Sequence, residues 1–133
     1  MPLCVCVGAT GVLTKDSSLA CLTSNPKAKD NIALLKGLGL SAVLGLEPIE
    51  FDWKPGLART GHDIGFNAEQ AATVDERLIV RDEEGGVKGF RYQEFTAVLT
   101  KALQELVAKV TGLEARMDQQ QREIDELKKL VDA

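Results

Sequence analysis

Ser24 and Lys29, a hydroxyl and an amine five residues apart, are the two side chains in this sequence best spaced to do chemistry. They straddle Asn25-Pro26, a pair suited to opening a helix, with Asn25 as N-cap and Pro26 as the first helical residue. In such a helix Ser24 and Lys29 take the two places that a hydrophobic staple normally brings together. Here those places carry a nucleophile and a potential general base. A serine hydroxyl attacks only once a neighbour removes its proton. Lysine does that when neutral, a form favoured by burial, by adjacent positive charge and by the positive end of a helix dipole. The free N–H groups of the first turn could hold an oxyanion on the Thr23 carbonyl. Serine–lysine pairs are a known variant of triad chemistry, and the bond in reach is Thr23–Ser24. The same residues also read as the start of a lysine-rich surface helix, and spacing alone leaves both readings open.

The surrounding elements are legible in outline. Residues 1–22 alternate apolar and small residues around Gly8 and Gly11, which predicts short extended segments. Apolar positions from Pro26 to about Gly45 predict helix, interrupted near Gly37-Leu38-Gly39. Ile49, Phe51 and Trp53 alternate with acidic residues, the pattern of a half-buried strand ending at Lys54-Pro55-Gly56. Residues 57–64 read as a loop carrying His62, and a short helix follows through residues 68–72. Leu78-Ile79-Val80 and Val87-Lys88-Gly89-Phe90 flank Asp82-Glu83-Glu84-Gly85-Gly86, a hairpin signature.

The last third carries a heptad repeat. Leu103, Val110, Met117, Ile124 and Val131 fall at a, and Leu99, Leu106, Leu113, Gln120 and Leu127 at d. Lys109 with Glu114, and Glu123 with Lys128, are complementary g-to-e pairs for parallel neighbours. Gln120 is the one polar core position, a device that sets register and strand number. A lone helix with this seam would leave a long apolar stripe in water, so self-association is expected; the heptads do not choose between two and three strands. Residues 101–133 hold six basic and seven acidic side chains, a balanced solvated surface.

With 133 residues and a net charge of −4, the chain holds one small globular domain and no basic stripe for nucleic acid. The apolar run in the first dozen residues is too short to span a bilayer and lacks a basic leading region, so neither a membrane anchor nor a signal peptide is expected. Cys4, Cys6 and Cys21, an odd set far from the sole histidine, are a poor metal set and read as free thiols. No metal and no cofactor are called for. His62 reads either as a loop histidine bonded to backbone or as a secondary site residue.

Four segments together resemble the self-cleaving C-terminal chaperone domains of phage tail fibres and tailspikes, the endosialidase type, related to the autoprocessing domain of myelin regulatory factors. Ser24, Asn25, Lys27, Lys29, Asn31 and Ile32 match the family's opening motif. Leu46 through Lys54 is similar to its leucine-rich helix running into an aromatic strand. Gly61-His62-Asp63-Ile64-Gly65-Phe66-Asn67-Ala68-Glu69 is similar to its His-x-x-Gly-Phe-x-Ala-Gln segment, with Glu69 in the place of Gln. Tyr92 opens a helix that runs through Glu105-Leu106 into the heptads. The resemblance covers about residues 22–133, and Asn25 stands where Asp is commoner.

The expected fold is α+β: a small, mostly helical domain with a short strand and a hairpin, then a long C-terminal helix in a parallel coiled coil, trimeric by the resemblance. The expected divisions are 1–23 as the end of an upstream fibre stem, 24–95 as the autoprocessing domain and 96–133 as the coiled coil. The resemblance implies an intramolecular chaperone that trimerises and assists folding of the β-rich fibre upstream in the same chain. It then releases itself by cutting Thr23–Ser24 with Ser24 as nucleophile and Lys29 as base. Asn25, Asn31, His62 and Glu69 are supporting residues in that scheme. The setting implied is the host cytoplasm during virion assembly. The competing reading is a non-catalytic trimerisation cap that stays on its fibre.

Overall fold

The short alternating runs at the start of the chain pair with each other. In the computed structural model, which describes residues 4–7, 13–16, 24 and 26–133, β1 (Cys4–Val7) and β2 (Leu13–Asp16) form an antiparallel ladder from Cys4↔Asp16 to Val7↔Leu13. The chain divides into two compact units, 1–34 and 35–133. The architecture is α+β, with small antiparallel strand pairs and one long C-terminal helix.

The helix expected from Pro26 to about Gly45 is largely absent. A single 3₁₀ turn forms at Pro26–Ala28, and α1 is confined to Leu40–Gly45. Asn31 and Gly37 both adopt left-handed backbone, φ 53° and 67°. Two such breaks six residues apart leave no run near the ~12–15 residues that an autonomous helix needs. The apolar spacing that suggested helix serves packing instead: Leu38, Ala42 and Leu46 enter the core of the second unit.

β3 (Pro48–Asp52) alternates as expected, with Ile49 and Phe51 half-buried and Glu50 and Asp52 exposed. The loop expected over 57–64 is shorter than that, because His62 opens a strand. β4 (His62–Phe66) pairs antiparallel with β3, Pro48↔Phe66 through Asp52↔His62. α2 (Ala68–Val74) follows, capped by Asn67, whose side-chain oxygen accepts the N–H groups of Glu69 and Gln70. A 3₁₀ turn at Glu76–Leu78 leads into β5 (Ile79–Arg81), which pairs with β6 (Val87–Phe90) across the Gly-rich turn that the sequence announces.

α3 (Tyr92–Val131) is one unbroken helix of 40 residues, about 60 Å long at ~1.5 Å per residue. Its first turns are the wall of the core. Phe95 and Val98 join Leu38, Ala42, Leu46, Ala71, Leu78 and Ile79, and the rings of Phe66, Phe90 and Phe95 meet within 4.8–5.4 Å. Each of the larger aliphatic side chains buried there is worth about 1.5–3 kcal/mol.

Two contacts fix the small elements to α3. The Glu105 carboxylate accepts the Leu40 N–H at 2.8 Å, supplying from another helix the cap that Gly39 cannot. A Cβ at residue 39 would meet that carboxylate at 2.6 Å, so glycine is what lets it in. Glu105→Ala is therefore expected to lower stability by about 1–2 kcal/mol in a denaturant titration. The second contact joins Tyr92 to β4. Its phenol oxygen accepts the Phe66 N–H at 3.0 Å and lies where a side chain at Gly65 would stand.

Candidate functional site

The Ser24 and Lys29 side chains meet. Lys29 Nζ lies 2.8 Å from Ser24 Oγ and 3.4 Å from the Ser24 carbonyl oxygen, and both residues are exposed. The staple-like approach thus forms without the helix that was expected to produce it. The 3₁₀ turn suffices, closed by the Lys29 N–H donating to the Pro26 carbonyl at 3.1 Å. Pro26 presets the first φ of that turn, and Asn31, a few residues beyond its end, adopts the left-handed region that asparagine tolerates better than most residues. Thr23, the other side of the candidate scissile bond, and Asn25, the expected N-cap, lie outside the described residues, as does Cys21.

The remaining sequence candidates sit in the second unit, each among local partners. His62 begins β4 opposite Asp52; its Nδ1 is 3.0 Å from Asp52 Oδ1 and its Nε2 3.7 Å from Glu50 Oε2. The imidazole thereby ties β4 to the acidic face of β3. Glu69 lies exposed in the first turn of α2, where an acidic side chain suits the helix dipole. The amide that the resemblance places at 69 is found one residue later. Gln70 Nε2 donates to the Gly45 carbonyl at 2.9 Å, and its Oε1 accepts the Glu47 N–H at 3.3 Å, clasping the chain as it leaves α1. The Glu69-Gln70 order in the sequence was the available clue to that exchange.

Sequence reasoning missed the group beside Trp53. The indole Nε1 donates to Asp63 Oδ2 at 3.1 Å, and the Arg59 guanidinium stands 5.5 Å from the ring centroid. The Ile64 N–H and then the indole N–H hold the Asp63 carboxyl below its ordinary value. A depressed folded-state value means that this interaction is fully present above the unfolded pKa and is lost as pH falls through the folded one. Trp53 is the sole tryptophan. Its emission is expected to hold steady on acidification to about the ordinary aspartate value of 3.8 and to shift only below it. Asp63→Ala should show the shifted emission already at neutral pH. A wild-type transition centred near pH 6 would assign the change to another group.

The heptad residues form an exposed stripe along α3. Leu103, Leu106, Val110, Leu113, Met117, Ile124, Leu127 and Val131 are all between 45% and 82% exposed, and Gln120 is exposed in line with them. Phe95, Val98 and Ala102, the residues of α3 that bury against its own unit, occupy the c and g positions. That flank is about 110° around the helix from the a/d seam at ~100° per residue. The small domain therefore leaves the seam open from Leu99 to Val131.

Among the described residues no cluster of three or more His, Cys, Asp and Glu is placed to hold a metal, and no helix is long and apolar enough to cross a membrane. Comparison with protein-family models, with curated proteins and with solved structures gave no match. The chemistry available at the site is that of its own atoms. The Lys29 amine is within hydrogen-bond distance of a hydroxyl that adjoins the Thr23 carbonyl carbon in the covalent chain. Transfer of the Ser24 hydroxyl proton to Lys29 is the step that these two described side chains are placed for.

Proposed function

We propose that this chain is a self-cleaving intramolecular chaperone of a phage tail fibre or tailspike. Three copies associate through α3, assist the folding of the β-rich fibre upstream, and then detach by cutting Thr23–Ser24. The observation that carries the reading is the 2.8 Å approach of Lys29 Nζ to Ser24 Oγ, in a segment that matches the family's opening motif residue by residue. The open heptad seam on α3 and its complementary g-to-e charges support parallel self-association.

In the proposed reaction a neutral Lys29 takes the Ser24 hydroxyl proton, and Oγ attacks the Thr23 carbonyl carbon. The tetrahedral adduct collapses to an ester as the Ser24 nitrogen leaves with the proton returned by Lys29. Water then hydrolyses the ester, leaving a Thr23 carboxylate and a Ser24 amino terminus. One chain is cut once, so no substrate pocket is required. Slow non-local strand pairing is the step that a trimeric template would assist. Removing the template afterwards would leave a fibre held by its unfolding barrier rather than by equilibrium stability.

The exposure of both dyad residues favours a second reading, a trimerisation cap retained on its fibre, because nothing in the single chain supplies the burial that activates a serine–lysine pair. A reporter protein joined upstream of residue 1 separates the two. Release of a fragment whose intact mass begins at Ser24 is the expected result. A fusion that stays whole after assembly would establish the retained cap instead.

A further inference from the structure

Tyr92 lies seven residues before Leu99, so it is the first d residue of the seam, and it is 53% exposed. It also belongs to the small domain through its bond to the Phe66 N–H. The end of the β3–β4 hairpin is therefore moored to the first layer of the stripe. Beside that mooring is an apolar recess of about 490 Å³, lined by Pro48, Ile49, Glu50, Ile64, Phe66 and Tyr92. Ile64 is 73% exposed at its edge and takes no part in the buried core. A large aliphatic side chain so placed costs apolar surface in water and contributes little to its own fold.

We propose that this recess is a second self-association surface, closed by the first turns of α3 from a neighbouring copy of the chain. The inference rests on the coiled-coil reading and extends it beyond the helix. The Lys109–Glu114 and Glu123–Lys128 pairs are complementary only when neighbours run parallel and in register. In that register the Tyr92 layers of all copies stand at one level, with helix axes about 8–10 Å apart. Each hairpin end, moored to its own Tyr92, then faces the first turns of the next helix. An antiparallel partner would bring a distal helix end there instead. The flank of the neighbouring helix at this level carries Gln93 and Thr100 at e, so no like charge is brought against Glu50. The assembly interface thus continues from the coiled coil into a collar formed by the small domains.

The test is the association of the full chain, followed by sedimentation equilibrium over a wide concentration range with helical content monitored. Ile64→Arg is expected to raise the concentration for half-association at least 10-fold. Leu44→Arg, at an equally exposed residue of α1 (76%) outside both recess and seam, should leave it unchanged. Ile124→Lys reports on the seam itself. If Ile64→Arg behaves as Leu44→Arg while Ile124→Lys dissociates the copies, the collar is wrong and the coiled coil stands. If the wild type is monomeric, or Ile124→Lys has no effect, the coiled-coil reading fails and the collar fails with it. Should Ile64→Arg not fold, Ile64→Thr keeps a β-branched residue in the strand, and a threefold or larger rise is then the supporting result; no rise overturns the collar.

Discussion

Ser24→Ala is expected to leave an upstream fusion whole, with cleavage reduced by at least about 10³-fold and in practice undetectable. The reasoning is local. Without Oγ no atom of residue 24 can form the ester, and water would have to attack an unactivated peptide. Lys29→Gln should cost about 10²–10⁴-fold, the usual worth of a positioned general base. Lys29→Arg is the sharper variant. It keeps the positive charge and the ability to donate to Ser24, but a guanidinium does not give up its proton in a protein. A structural role for the Ser24–Lys29 hydrogen bond predicts that arginine rescues; a role as base predicts that it does not. Efficient cleavage in Lys29→Arg would remove lysine from the mechanism while leaving Ser24 in it. Time courses on gels, with intact masses of both fragments, decide each case.

The second large effect is expected from the seam. Introducing Leu113→Glu with Ile124→Lys should give a monomer at micromolar concentration. These side chains are 56% and 45% exposed in the single chain, so their loss takes little from its own core. In an assembly each is worth about 1.5–3 kcal/mol of burial per copy, and the charges that replace them would be desolvated. Summed over two layers of a trimer this reaches ~9 kcal/mol or more, some six decades in association. The consequence for cleavage follows from the exposure of Lys29. Activating a lysine as a base takes burial or adjacent positive charge, and we propose that neighbouring chains supply that cover on assembly. The monomeric variant should therefore cleave at least about 10-fold more slowly than the wild type. Unimpaired cleavage in a proven monomer would uncouple the two events.

What the sequence disclosed, and what it concealed, divides along the range of the interactions. The C-terminal helix, the Asp82–Gly86 turn and the alternation of Ile49 and Phe51 are written in periods of a few residues, and each of these elements formed, although the strand ends at Asp52, before Trp53. The approach of Ser24 to Lys29 was also local, so it survived a wrong assignment of the helix around it. The Pro26–Gly45 helix failed because two left-handed residues, Asn31 and Gly37, split an apolar run whose spacing is set by tertiary packing. β4 was read as part of a loop because His62-Asp63-Ile64-Gly65-Phe66 holds an acid and a glycine. Only pairing with β3 and the approach of Tyr92 make a strand of it. Glu105 over Leu40, Gln70 at the end of α1 and Trp53 on Asp63 depend on partners 10–65 residues away, beyond the reach of any local pattern.

α3 has a sharp internal boundary. Its buried residues and its bonds to the small domain, from Tyr92 to Glu105, all lie in the first third; from Leu106 to Val131 every residue is exposed. Opening free energy should drop at that point in a solitary molecule, since nothing but the helix's own ladder protects the amides beyond it. Deuterium uptake along α3 would then be fast past residue 106 when the chain is alone and slow to near its end once copies have joined. The helix acts as a scale on which the progress of assembly can be read amide by amide.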